Sequence, residues 1–350
     1  MIPKIFSTML LLVWYCTVFS QSSSTANDGV PDYNGTFGFG SNMGQYNGWT
    51  DAQLADIGIG NPALGLSGAG VTSMRPLLPE YFLEFFGYTI RLSTFQHYSN
   101  LGAPDNVAII GYPTEAHRDP NEYCEGQAPE SFANLYLPIW DDGSDGSPIN
   151  EDNYYAHYVY RMVNVYKDYV HFWEVLNEPD ADLSGNGWKP RGMPGNWYDN
   201  VPDPCEYTFF APIFLYIRML KITYEVVKTL DPEAYVAVGG LGNPSFLDLI
   251  MRHTDNPVDG SVTAEYPLKG GAYFDVLSYH SYPHLDGSLR EYDPNVGGFV
   301  YERNSDRAVR GYLDRGAAFQ TVMADYGYGT TYTAKKVITA ETNVARQSFT

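Results

Sequence analysis

Residues 171–182 read HFWEVLNEPDAD, and this stretch decides the fold. An apolar run from Phe172 to Leu176 is followed at once by Asn177, Glu178 and Pro179. A short apolar run bounded by turn-forming residues predicts a buried strand, here over residues 172–177. The chain leaves this strand through a loop that starts with a carboxylate, so Glu178 is the first candidate for a functional residue.

Other short apolar runs alternate with longer amphipathic segments, a pattern typical of β/α units repeated around a parallel sheet. The predicted strands are residues 36–41, 70–75, 107–111, 172–177, 235–239, 274–280 and 336–341, with 89–95 as a rival for the third position. Helices are predicted over residues 151–169, after a candidate N-cap at Asn150, over 211–230 and over 312–326.

Seven such strands predict an α/β fold, the (β/α)8 TIM barrel, without its eighth unit. We expect residues 36–350 to form one catalytic barrel domain that is incomplete at its carboxyl end, as in a fragment of a longer protein.

The amino-terminal segment predicts export. Lys4 precedes a hydrophobic run over residues 5–19, and Val18 and Ser20 are small enough for the recognition positions of a signal peptidase. We therefore predict a signal peptide over residues 1–20, a polar linker over 21–35 and a secreted product, extracellular or periplasmic. The hydrophobic run is too short to span a bilayer comfortably, so no membrane association is expected after cleavage. Asn34 heads a glycosylation sequon.

Charge and composition restrict the partners. A formal net charge of -20 argues against nucleic acid and anionic membranes, because both require a basic face. Aromatic residues make up 15% of the chain, which suits a protein that binds sugar rings. Cys124 and Cys205 lie outside the predicted signal peptide, and they either form one disulfide or remain two buried thiols.

Two glutamates stand at predicted strand ends, where a (β/α)8 barrel carries its chemistry. Glu178 ends the fourth strand, and Glu341, in KKVITAETN (residues 335–343), ends the seventh. Across the mouth of a barrel they would face each other. Two facing carboxylates are what glycoside hydrolysis requires, since one protonates the leaving oxygen and the other stabilises or attacks the anomeric carbon.

The NEP sequence at residues 177–179, together with a glutamate closing the seventh strand, resembles clan A of the retaining glycoside hydrolases, with families 39 and 5 closest. The resemblance implies that Glu178 is the acid/base, that Glu341 is the nucleophile and that Asn177 hydrogen-bonds the sugar 2-hydroxyl. It implies a carbohydrate substrate and no cofactor. The two carboxyl groups are then expected about 5 to 5.5 Å apart.

Further residues fit the same resemblance. In FDVLSYHSYP, residues 274–283, His280 and Tyr282 match the clan's His-x-Tyr pair beside the nucleophile or substrate. Arg75 is the counterpart of the clan's strand-two arginine, which keeps the nucleophile ionised, and Arg91 is its rival. Apart from the resemblance, Trp140, Trp188 and Trp197 are candidate sugar-stacking platforms because they lie at predicted loop positions, with plain packing as the alternative for each.

Several alternatives stay open at this level. Glu265 or Glu302 could serve in place of Glu341 as the second carboxylate. The barrel could bind sugar without cleaving it, or His280 and His284 could hold a metal with nearby carboxylates and support a metal-dependent hydrolase. The sugar, the linkage, endo or exo action and the oligomeric state are not specified by the sequence.

Overall fold

A computed structural model describes residues 30–33, 40–42, 50–144, 146–283, 290–301 and 305–342. The predicted signal peptide, most of the predicted linker, Asn34, His284 and Glu302 lie outside the described residues. The helices are α1 (Asp51–Gly58), α2 (Glu80–Phe86), α3 (Leu92–Leu101), α4 (Tyr154–Tyr166), α5 (Ile213–Leu230), α6 (Pro244–Arg252) and α7 (Ser305–Asp325). The strands are β1 (Gly40–Asn42), β2 (Ser73–Arg75), β3 (Leu77–Pro79), β4 (Asn106–Gly111), β5 (Val170–Val175), β6 (Tyr235–Val238), β7 (Val276–Ser281), β8 (Arg290–Asp293), β9 (Gly298–Tyr301) and β10 (Lys336–Thr342).

Six strands form one parallel sheet in the order β10-β7-β6-β5-β4-β3. The strand pair β1-β2 is also parallel, whereas β8-β9 is an antiparallel hairpin in the connection between β7 and α7. Among the described residues, β1 and β10 are not paired with each other. The architecture shown is therefore a mixed α/β fold around a six-stranded parallel sheet, with helices in most of the connections.

The predicted strand over residues 70–75 is shorter in the structure, where only β2 remains, and Pro76 follows it directly. β2 and β3 are separated only by Pro76, and β2 pairs with β1 whereas β3 pairs with β4. Since proline has no N–H, it cannot donate to a neighbouring strand, and its carbonyl accepts the Ile109 N–H instead. The chain thus changes pairing partner at Pro76, a switch that the sequence prediction did not include.

The rival strand over residues 89–95 is wrong. Residues 89–92 form a turn closed by the Leu92 N–H on the Thr89 carbonyl, and α3 continues from there to Gly102, which adopts a left-handed conformation. Phe95 and Tyr98, three residues apart, are both buried, which is a helical spacing and not the alternation of a strand.

Two predicted helix starts are also corrected. α4 begins at Tyr154 because the side chain of Asn153, and not of Asn150, accepts the Ala156 N–H as the N-cap. α7 begins at Ser305, before the predicted residue 312. The ends of α5 match the prediction within two residues.

Side chains of β5 alternate between two cores. Trp173 and Val175 are fully buried against the helices, whereas Phe172 belongs to a small cluster on the other face of the sheet. That second cluster comprises Val107, Phe172, Tyr235, Ala237 and Val276.

The second cluster is covered by the amino-terminal segment. Val30 and Tyr33 pack against it, the Tyr33 hydroxyl donates to Asp105 Oδ2 over 3.0 Å, and the Tyr235 hydroxyl donates to the Pro31 carbonyl over 3.1 Å. Residues 30–33, which lie within the predicted linker, therefore pack against the sheet, where the half-buried Tyr33 removes apolar surface from water.

Candidate active site

Six side chains predicted from the sequence meet at the carboxyl ends of the strands. Arg75 is the last residue of β2, Asn177 and Glu178 follow β5, His280 lies near the end of β7, Tyr282 follows it, and Glu341 lies near the end of β10. Carboxyl ends of parallel strands share one edge of a sheet, so residues distant in the sequence become neighbours there. The hydrogen bonds and ion pairs described below link all six into one network.

The imidazole of His280 lies between the two carboxylates. Its Nδ1 is 2.7 Å from Glu178 Oε1, and its Nε2 is 3.7 Å from Glu341 Oε1. One oxygen of Glu178, one nitrogen of His280 and one oxygen of Glu341 all lie within 4.8 Å of one another. His280 is buried, whereas the side chain of Glu178 is 40% exposed and that of Glu341 21%. Glu178 therefore lies nearer to solvent than Glu341.

Glu341 is held in its ionised form. Burial alone would raise its pKa, but the charge of His280, the hydroxyl of Tyr282 and the guanidinium of Arg75 together hold the pKa below its usual value. Arg75 Nη1 donates to Glu341 Oε1 over 2.5 Å, and the Tyr282 hydroxyl donates to Oε2. Burial and this same hydrogen bond raise the pKa of Tyr282 well above its usual value, so the hydroxyl stays a donor.

Arg75 also binds a carboxylate that the sequence analysis missed. Its Nε and Nη2 donate to the two oxygens of Glu174 over 3.1 and 2.5 Å, and Nη2 also donates to Asn177 Oδ1 over 2.8 Å. Glu174 is completely buried and lies on the same face of β5 as Phe172. The available signal was a glutamate inside an apolar run, since such a residue is rarely buried without a charged partner.

The rival arginine lies elsewhere. Arg91 forms an ion pair with Asp51 of α1, and its guanidinium lies 5.2 Å from the ring centroid of Phe82. It therefore stabilises the packing of helices and does not reach either candidate carboxylate. Of the two alternatives to Glu341, only Glu265 lies within the described residues. It is exposed in the loop that leads to β7 and is not part of the site.

The backbone around Glu178 is strained and anchored. Leu176 and Glu178 have φ values of 64° and 50°, in the left-handed region that residues other than glycine seldom adopt. Three contacts hold this conformation: the Asn177 N–H donates to the Tyr112 hydroxyl, the Glu178 N–H to the Gly239 carbonyl, and the Thr208 hydroxyl to the Glu178 carbonyl. The loop therefore presents Glu178 in a fixed orientation.

Gly240 lets the backbone approach His280. A Cβ at this position would lie 2.3 Å from His280 Nε2, and the residue has a φ of 44°. Only glycine fits such a close approach without displacing the ring.

The three candidate tryptophans have different environments. Trp197 as a sugar platform is wrong, because the side chain is completely buried, packs against Tyr207 and Phe246, and donates its indole N–H to Glu206. Trp140 is half-buried, with its ring edge-on to Tyr160 of α4. Trp188 is 52% exposed, with the guanidinium of Arg315 4.0 Å from its ring centroid.

Cys124 and Cys205 are joined in a disulfide, with their Cα atoms 5.2 Å apart. Cys124 lies in the loop after β4, and Cys205 in the loop after β5 that also carries Glu178. The disulfide therefore ties together two loops on the side of the sheet where the candidate site lies.

Glu178, His280 and Glu341 supply ligand types that a metal ion would accept. However, both oxygens of Glu341 already accept hydrogen bonds, and one of these comes from a guanidinium at 2.5 Å. A cation bound there would be repelled by Arg75, so the donor set fits a metal poorly.

No helix among the described residues is long and apolar enough to cross a membrane.

No protein-family model matches the sequence, and no curated protein matches it. Solved structures similar to this chain include an endo-laminarinase from Formosa Hel1_33_131, which is 13% identical with a TM-score of 0.45, over 87% of this chain and 65% of that chain. A glucosidase from Croceicoccus marinus is 13% identical with a TM-score of 0.41, over 80% and 48%. A GH30 endoxylanase from Clostridium papyrosolvens C71 is 14% identical with a TM-score of 0.39, over 83% and 56%. The chain thus spans less than two thirds of the length of each of them.

Proposed function

We propose that the protein is a retaining glycoside hydrolase that cleaves O-glycosidic bonds by double displacement on a (β/α)8-type barrel. The observation that carries this proposal is the separation of the carboxylates, since one oxygen of Glu178 and one of Glu341 lie within 4.8 Å. Retaining enzymes place the two carboxyl groups about 5 to 5.5 Å apart, whereas inverting enzymes need about 6.5 to 9.5 Å for a water molecule.

In the first step, the ionised carboxylate of Glu341 attacks the anomeric carbon while Glu178 gives a proton to the leaving oxygen. Arg75 and Tyr282 favour the anionic form of Glu341, which is the form that a nucleophile requires. In the second step, Glu178 accepts a proton from water, and this water displaces Glu341 from the sugar.

His280 and Asn177 are proposed to orient the reacting groups. His280 Nδ1 lies within hydrogen-bond distance of Glu178 and limits its rotation. Asn177 Oδ1 already accepts from Arg75, so its amide N–H groups are directed away from that contact and available to the sugar 2-hydroxyl. No cofactor enters this reaction.

The substrate class proposed is a polysaccharide or oligosaccharide. Secretion is proposed from residues 1–20, and no nucleic acid or membrane partner is proposed for a chain of net charge -20.

The test uses Glu178→Ala and Glu341→Ala, each checked for folding by circular dichroism. Glu178→Ala is expected to retain glycosylation by an activated aryl glycoside, to accumulate the glycosyl-enzyme and to recover turnover with azide. Glu341→Ala is expected to lose turnover of every substrate, and azide should then give a product of inverted configuration. Exchanged behaviours would reverse the roles, and folded variants that azide does not rescue would contradict the mechanism.

Two other functions make different predictions. A metal-dependent hydrolase would lose activity in the presence of a chelator, whereas the mechanism above would not. A sugar-binding protein without catalysis would bind oligosaccharides and leave them intact. Activity that survives a chelator and is lost in Glu178→Gln would exclude both.

A further inference from the structure

Trp188 differs from the other tryptophans of the described residues. Trp173 and Trp197 are completely buried and Trp140 is half-buried, but Trp188 is 52% exposed. The guanidinium of Arg315 lies 4.0 Å from the centroid of its ring and so covers one face. The accessible part of the indole is therefore its opposite face and its edge.

The Trp188–Arg315 pair is connected to the candidate active site. Trp188 lies in the loop that begins with Asn177 and Glu178, and Arg315 lies in α7. Arg315 Nη1 also donates to the carbonyl of Gly242. Gly242 is two residues from Gly240, whose Cα is therefore at most about 7.6 Å away.

The loop that Arg315 contacts is itself anchored beside the catalytic groups. Gly240 packs directly against His280, and the Gly242 N–H donates to Asp180 Oδ1 over 3.2 Å. Asp180 is completely buried and follows Glu178 by two residues. Arg315 thus joins the exposed indole to the two loops that position His280 and Glu178.

An indole held in this way suits a sugar ring. The apolar face of a sugar packs on an aromatic ring, and a ring that is already immobilised loses little conformational entropy on binding. The cation on the covered face provides that immobilisation. Neutral sugars also avoid the repulsion that a chain of net charge -20 would exert on anionic ligands.

We propose that Trp188, held by Arg315, is a sugar-binding subsite separate from the scissile bond. The inference rests on the proposed function and deepens it, because it assigns the enzyme to substrates of several sugar units that extend from the carboxylates to Trp188.

The test measures binding separately from catalysis. In the Glu178→Gln background, β-linked gluco-, xylo- and manno-oligosaccharides of increasing length are titrated by calorimetry into protein with and without Trp188→Ala. The affinity for the longer members should fall about 10-fold or more, and the affinity for the disaccharide much less. Trp188→Phe should lose less than Trp188→Ala, and Trp188 fluorescence should change only with oligosaccharides long enough to reach it.

Phe85→Ala is the matched control, because Phe85 is an exposed aromatic residue on α2 and is 80% accessible. This variant should bind every oligosaccharide as the parent protein does. Arg315→Met keeps much of the side-chain length without the charge, and should give a loss between those of Trp188→Phe and Trp188→Ala. Equal affinities for parent and Trp188→Ala at every length would overturn the subsite.

The outcomes separate the two proposals. Trp188-dependent binding by a wild-type protein that cleaves no glycoside would support the subsite and contradict the hydrolase. Cleavage by the wild type with a length dependence that Trp188→Ala does not alter would support the hydrolase and contradict the subsite. Absence of binding and of cleavage across the series would contradict both.

Discussion

Arg75 divides one positive charge between two carboxylates, Glu174 inside the sheet and Glu341 at its edge. Its Nε and Nη2 form a bidentate contact with Glu174, and this orientation directs Nη1 toward Glu341. Glu174 therefore acts as a positioning residue for the arginine. At the scale of single residues, the candidate nucleophile depends on a glutamate that has no contact with it.

Replacing Glu174 by Ala should lower the free energy of unfolding by about 3 kcal/mol, because a buried guanidinium then loses its forked partner. Glu174→Gln keeps the shape and one acceptor and should cost less. Urea denaturation of both variants provides the comparison. A loss below about 0.5 kcal/mol in Glu174→Ala would contradict this dependence of Arg75 on Glu174.

Removal of the Tyr282 hydroxyl should shift the pH dependence of activity. The hydroxyl lowers the pKa of Glu341, so Tyr282→Phe should raise that pKa. In the proposed mechanism Glu341 reacts as the anion, and the acidic limb of kcat/KM should therefore move to higher pH, by about one unit if the hydrogen bond contributes about 1.4 kcal/mol. A limb that stays in place or moves to lower pH would contradict the role assigned to Tyr282.

At the scale of secondary structure, the side chain of Asn106 supplies a hydrogen bond to β2, beside the point where Pro76 separates β2 from β3. Asn106, the first residue of β4, is completely buried, and its Oδ1 accepts the Met74 N–H over 2.9 Å. Its Nδ2 donates to the carbonyls of Ala103 and Tyr169 over 2.9 and 3.0 Å. One amide thus joins β2, the end of α3 and the start of β5 below Arg75.

Asn106→Ala should lower the free energy of unfolding by about 3 kcal/mol, since three backbone groups, two of them on buried residues, lose their partner. Asn164→Ala is the matched control, because Asn164 is exposed on α4 and bonds only to Tyr160 of its own helix. Its change should stay within about 0.5 kcal/mol. Similar stabilities of the two variants, measured by urea denaturation, would argue against this bridging role.

At the scale of the whole molecule, the two ends of the parallel sheet differ in the side chains they carry. The charged residues of the candidate site lie at the carboxyl end, whereas apolar side chains and residues 30–33 fill the amino end. Lys335, just before β10, lies near that filled end. Its amine is 4.2 and 4.3 Å from the ring centroids of Phe274 and Tyr328 and donates to the Phe274 carbonyl.

Lys335 should make stability depend on pH. Although the residue is half-buried overall, its amine is enclosed, and burial lowers its pKa from 10.5 to about 7. Between these values the unfolded chain binds the proton and the folded chain does not, so the free energy of unfolding rises with pH across this window. Lys335→Met should therefore stabilise the protein by about 1 kcal/mol near pH 7, and the gain should shrink toward pH 10. Denaturation curves at several pH values test this, and a gain that grows with pH would contradict it.

The sequence by itself determined the features that depend on neighbouring residues along the chain. Predicted strands match β4, β5, β6, β7 and β10 within two residues at each end, because a run of apolar residues and the turn that ends it are local signals. Glu178, His280, Tyr282 and Glu341 could be named for the same reason, since each follows or ends such a run. The parallel arrangement of these strands then explains why they meet.

Only the tertiary structure decided the features that depend on which elements become neighbours. Arg75 and Arg91 are both arginines beside short apolar runs, but one reaches Glu341 and the other reaches Asp51 of α1. Trp188 and Trp197 belong to one loop, yet burial against Phe246 removes Trp197 from any ligand. The pairing of Glu174 with Arg75 likewise joins residues 99 positions apart. Burial and ion pairing are set by contacts across the fold, and the local sequence does not specify those contacts.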